Sequence, residues 1–194
     1  MAVLRPTLEA CMKDKCGGIY FKDTTGVYDV NNNPYGWGNP NLDPTNLTAV
    51  TLTIEYPDGS ETEHNLLDQI PDPITGTIEF DVIEGTYDDG IYTFTYYITG
   101  TDGKGGTISV TKILKKLFLC NVTCCVDKMW AKIPTYINTK DEKFLQNYIT
   151  QTHYAQGLIN GLSAAGGCLN TTAVSAILDK IERICEYEKC DTCH

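Results

Sequence analysis

Two hydrophobic periods divide this chain. Over 47–56, Val50, Leu52, Ile54 and Tyr56 alternate with Thr51, Thr53 and Glu55, the period of a half-buried β-strand. Pro57-Asp58-Gly59-Ser60 predicts a tight turn, and 60–67 returns with polar alternation. The pattern recurs at 75–83, with Ile78, Phe80 and Val82 inward, and again at 91–99 and 106–119, joined by the glycine-rich 100–106. Residues 1–22 read as two short extended segments around a turn, with a brief helix at 7–13 as the competing assignment. About seven short strands with one apolar face predict an immunoglobulin-like antiparallel β-sandwich. The Cys…Trp…Cys spacing of antibody domains is missing, so the expectation is one of architecture.

From about 120 onward the period lengthens to 3.6. Val122, Cys125, Val126, Met129 and Ile133 form one stripe, and Pro134 is expected to stop that helix or to follow its end. Thr139 and Glu142 have capping-box spacing for a helix near 140–163. Its expected buried face is Phe144, Leu145, Tyr148, Ile149, Leu158, Ile159 and Leu162. Asn170 or Thr171 caps a last helix over about 172–190, with the cleanest stripe of all: Val174, Ile177, Leu178, Ile181, Ile184 and Cys185. The fold class expected is therefore α+β: an N-terminal sandwich over 1–119, then a small cysteine-containing three-helix region over 120–194. The stretch 106–130 is the join.

The longest turn-rich stretch, 23–44, carries Tyr28, Tyr35 and Trp37 among glycines and prolines. Long irregular loops cover their own scaffold or serve function. Both readings stay open here: a loop closing one end of the sandwich, or a loop docking on a neighbouring subunit. Tyr28, Tyr35 and Trp37, with Trp130 at the end of the join, are the residues expected at subunit contacts. Asp23-Thr-Thr-Gly26 matches phosphoryl-accepting aspartate motifs over too few residues to use.

Composition narrows the functions. A hydrophobic fraction of 42% in 194 residues supports a packed core. A formal net charge of −10 argues against binding nucleic acid through phosphates, and no sequence-specific nucleic-acid binding is expected. The densest basic run is Lys112, Lys115 and Lys116 on a strand. No export signal and no membrane-spanning run is evident, so no membrane partner is expected, and Asn46, Asn121 and Asn170 are expected to carry no glycan.

Nine cysteines cannot all pair within one chain. Without an export signal, reduced thiols are the default expectation. Cys125 and Cys185 lie on apolar stripes and read as small buried hydrophobes. Cys11, Cys16, Cys120, Cys124, Cys190 and Cys193 have spacings that admit a structural zinc, though not the pattern of a finger. No cofactor is otherwise expected. A thiol enzyme needs a histidine base, and no spacing ties His64, His153 or His194 to a cysteine, so no enzymatic activity is expected. Asp88, Asp89 and Asp102 read as turn residues rather than calcium ligands.

Four stretches carry a resemblance: Cys11-x4-Cys16, DTTGVY at 23–28, YGWGNPN at 35–41 and LFLCNVTCCVDK at 117–128. The chain resembles small virion proteins of tailed bacteriophages, closest to those of crAss-like phages of gut Bacteroides. That resemblance implies a structural role in an oligomeric ring of the portal-proximal neck or tail. The implied partners are sister copies and other neck, tail or portal proteins, and the implied location is the virion, assembled in the host bacterial cytoplasm. A metal-stabilised protein-binding adaptor is the alternative expectation.

Overall fold

The computed structural model describes residues 3–13, 17–24, 26–28, 47–69, 77–82, 87–101, 106–166 and 170–186. Its architecture is α+β, with an N-terminal β-sandwich-like region followed by three helices. The chain divides into two compact units. One holds Met1–Lys13, Gly18–Glu84 and Thr93–Lys115; the other holds Asp14–Gly17, Gly85–Tyr92 and Lys116–His194.

In the first unit, β1 (Val3–Arg5) pairs with β4 (Gly26–Tyr28) as a small ribbon. β2 (Leu8–Lys13), β3 (Gly18–Thr24) and β7 (Thr77–Val82) form a three-stranded antiparallel sheet in the order β2-β3-β7. The strand reading of 8–13 thus prevails over the short helix. A four-stranded sheet runs β6-β5-β8-β9, built from β5 (Leu47–Glu55), β6 (Glu61–Asn65), β8 (Gly90–Thr101) and β9 (Thr107–Phe118).

Period-two patterning sets which face is buried. Val50, Leu52 and Ile54 of β5 are fully buried while Glu55 is exposed. Phe21 of β3 packs between Phe94 and Tyr96 of β8, with ring centroids 6.0 and 5.5 Å apart. His64 of β6 lies against Phe80 of β7 at 4.8 Å, and burial pushes its imidazole below the usual histidine range. These aromatic contacts hold the two sheets face to face, the arrangement that removes most apolar area from water in an all-β unit. The β5–β6 turn follows its chemistry: Gly59 adopts φ +83°, and Asp58 Oδ1 accepts from the Ser60 amide and hydroxyl at 2.8 and 2.6 Å.

The second unit is built on α1 (Cys120–Thr139), α2 (Glu142–Ala165) and α3 (Thr171–Cys185). Val122, Val126 and Met129, then Tyr148, Ala155, Ile159 and Leu162, then Val174, Leu178, Ile181 and Ile184 form one buried cluster with Ile91. α1 does not stop at Pro134 but continues to Thr139. Proline forfeits one backbone bond there and crowds the carbonyl four residues back, yet the helix runs through it. The capping box expected from Thr139 gives way to Asp141, whose side chain accepts from the Phe144 amide at 3.0 Å. Phe144, expected inside, is 41% exposed. Tyr148, Ile159 and Leu162 are buried as expected, and Thr152 and Ala155 complete the buried face of α2. α3 starts as expected, with Asn170 accepting from the Ala173 amide at 2.8 Å.

Leu119, the residue before α1, supplies no side-chain cap. Asp89 takes that role from about thirty positions upstream, accepting the Asn121 and Val122 amides at 3.0 and 2.7 Å. Asp89→Ala should therefore cost about 1–2 kcal/mol, and Asp89→Asn much less. Denaturant unfolding followed by helical circular dichroism measures both.

Candidate functional site

At the α1–α2 turn an aromatic group reaches the surface. Tyr136 meets Phe144 and Tyr148 edge-on at 5.5 and 4.9 Å, and Phe144 stacks on Tyr148 at 6.0 Å. Tyr148 is buried and donates its hydroxyl to the Met129 carbonyl, whereas Phe144 remains open on its outer side. Ile137, in the last turn of α1, is 59% exposed. Lys140 Nζ lies 5.8 and 5.4 Å from the Tyr136 and Phe144 ring centres, so a cation caps this apolar surface. Tyr154 of α2 is also largely exposed.

Of the four residues expected at subunit contacts, Trp130 is half-buried within the helical unit. It lies edge-on to His153 at 4.7 Å, and its Nε1 donates to Gln156 at 3.4 Å. Tyr28 belongs to β4; Tyr35 and Trp37, like most of 23–44, lie outside the described residues.

Cys120, Cys124, Cys125 and Cys185 differ from the reduced state expected of them. Cys125 and Cys185 form a disulfide between α1 and α3 across a sequence separation of 60. Their apolar stripes face one another, which brings the two Cα atoms to 6.2 Å, within reach of a disulfide. Cys120 and Cys124 are also disulfide-bonded, so neither offers a thiolate to zinc in this state. Cys11 on β2 is free and exposed, and Cys16, Cys190 and Cys193 lie outside the described residues. Among the described residues, no group of three or more His, Cys, Asp or Glu is placed to hold a metal ion.

Three acids lie buried or clustered in a way not legible in the sequence. Asp23, first of the DTTG stretch, is fully buried in the sandwich-like unit near Tyr96. Burial, and then the neighbouring Asp23 charge, push the Tyr96 hydroxyl above the ordinary phenol range. In the helical unit, burial and then Asp179, Asp89, Asp88 and Glu186 push the Glu182 carboxyl up. Burial also raises Asp89, against the opposing effect of the backbone N–H donors of Val122, Asn121 and Cys120.

A carboxyl whose folded pKa is raised binds its proton more tightly folded than unfolded. Ionising it as pH rises therefore removes stability, and acidification restores it. The helical unit is expected to melt at a higher temperature near pH 5 than near pH 7.5, with Glu182→Gln flattening the rise. Thermal unfolding across a buffer series checks this.

Among the described residues, the four-stranded sheet ends in two edges of opposite charge. Glu61 and Glu63 lie on β6, and Lys112 and Lys115 on β9; all four are exposed. Ile113 of β9 is 59% exposed. Among the described residues, no helix is long and apolar enough to cross a membrane.

No protein family and no curated protein matches the chain. Among solved structures it is similar to the chitinase ChiW of Paenibacillus sp. str. FPU-7, described as a bacterial cell-surface-expressed multi-modular enzyme machinery. The identity is 15% and the TM-score 0.34, over 58% of this chain and 8% of that chain's length. A likeness at that level determines neither fold nor activity.

Proposed function

We propose that this chain is a structural component of a bacteriophage virion, forming an oligomeric ring in the neck or tail near the portal. The resemblance at 23–41 and 117–128 supplies the context. The observation that carries the reading is the apolar surface at the α1–α2 turn, where Phe144 and Ile137 stay exposed and Lys140 lies over the Tyr136 and Phe144 rings. Apolar surface of this kind is what sister subunits cover in an assembly. Disulfides accord with the setting, since a released particle meets an oxidising exterior in which they persist. The adaptor alternative rests on zinc, and two of its six candidate ligands, Cys120 and Cys124, are already bonded.

Native mass spectrometry with elemental analysis separates the two readings. The ring reading expects one discrete multimer without stoichiometric metal. A monomer carrying about one zinc per chain favours the adaptor.

A further inference from the structure

We infer that copies of this chain associate edge to edge, β9 of one pairing with β6 of the next, so that the four-stranded sheet continues from subunit to subunit. The inference rests on the ring reading and names its interface.

Strand direction allows it. β5 is antiparallel to both β6 and β8. β8 and β9 are neighbours, and the few residues between them are too short for the crossover a parallel pair needs. β9 therefore runs opposite to β6. Repeating the sheet sideways without turning it over sets β9 of one copy antiparallel to β6 of the next. Among the described residues no further strand pairs with the outer side of either, so each edge presents unpaired backbone donors and acceptors. A step of this kind uses two different surfaces, the heterologous contact that closes into a ring when its rotation divides the circle.

Charge selects the same pairing. Glu61 and Glu63 sit opposite Glu55 and Thr53, on the face away from buried Leu52 and Ile54. On β9, Ile108 points inward, while Ser109 engages the Tyr97 hydroxyl on the other face. Period two then places Ile113 and Lys115 on the face that carries Glu61 and Glu63. Lysine on an open edge ordinarily keeps like edges apart. Here the far edge is acidic, so Lys115, which repels a second β9, attracts a β6. The contact also covers Ile113.

The test uses the full chain with Lys115→Glu, with Glu61→Lys/Glu63→Lys, and with all three changes together. Sedimentation velocity reads assembly, and hydrogen exchange reads protection of β6 and β9 amides. Each single-edge reversal should weaken assembly about tenfold or more, because like charges then face each other, and the combined variant should regain it. In the parent, β6 and β9 amides should gain protection as the multimer forms. If assembly survives every reversal with those amides unprotected, edge pairing is overturned and the ring reading stands. If the parent does not assemble at any concentration, both are overturned.

Discussion

A variant with both Cys125→Ala and Cys185→Ala is expected to lose about 4 kcal/mol of stability in the helical unit. The bond closes a separation of 60 residues, and the chain entropy it removes from the unfolded state gives that magnitude. The loss should lower the melting midpoint of helical circular dichroism by on the order of 20 °C. The double variant is preferable to reduction, which also opens the bridges of Cys120 and Cys124. A midpoint shift of only a few degrees would mean that α1 and α3 are held by the Val122, Val126, Leu178 and Ile181 contacts alone.

The second large effect lies in the other unit. Phe21→Ala should cost about 3–5 kcal/mol, since Phe21 is fully buried and bridges the two sheets through Phe94 and Tyr96. Hydrogen exchange of β3, β5 and β8 amides in denaturant measures it, and Phe21→Leu should recover much of the loss. A cost under about 1 kcal/mol would place the centre of the sheet packing elsewhere.

Both predictions draw on features with unequal visibility in the sequence. Val50, Leu52 and Ile54 announce a half-buried strand by alternation alone, and Val174, Leu178 and Ile181 announce a helix face by spacing. Those signals are local, and the structure follows them. Pro134 was misleading because a proline's local cost can be outweighed by the packing of the rest of its helix, and Val122, Val126 and Met129 anchor α1 in the core. Phe144 was misleading because it begins α2, where the helix has not yet entered the core. Asp89 was invisible because the helix it caps starts some thirty positions later. Cys125 and Cys185 sit on apolar stripes whether reduced or bonded, so periodicity could not tell one state from the other.

The candidate surface divides the same way. Lys112 and Lys115 were visible as a basic run, and Glu61 and Glu63 as the polar return of a hairpin. Their meaning as opposite ends of one sheet depends on the order β6-β5-β8-β9, which requires β8 to insert beside β5 from far along the chain. Trp130, expected at a subunit contact, is half-buried in the helical unit, with its ring against His153 and Gln156.

The number of copies of this chain per purified phage particle, counted by quantitative peptide mass spectrometry against the portal protein, tests the account most directly. A fixed number, in constant ratio to the portal subunits from one preparation to the next, is the expected result. Particles that contain no copies, or only traces that vary between preparations, would contradict it.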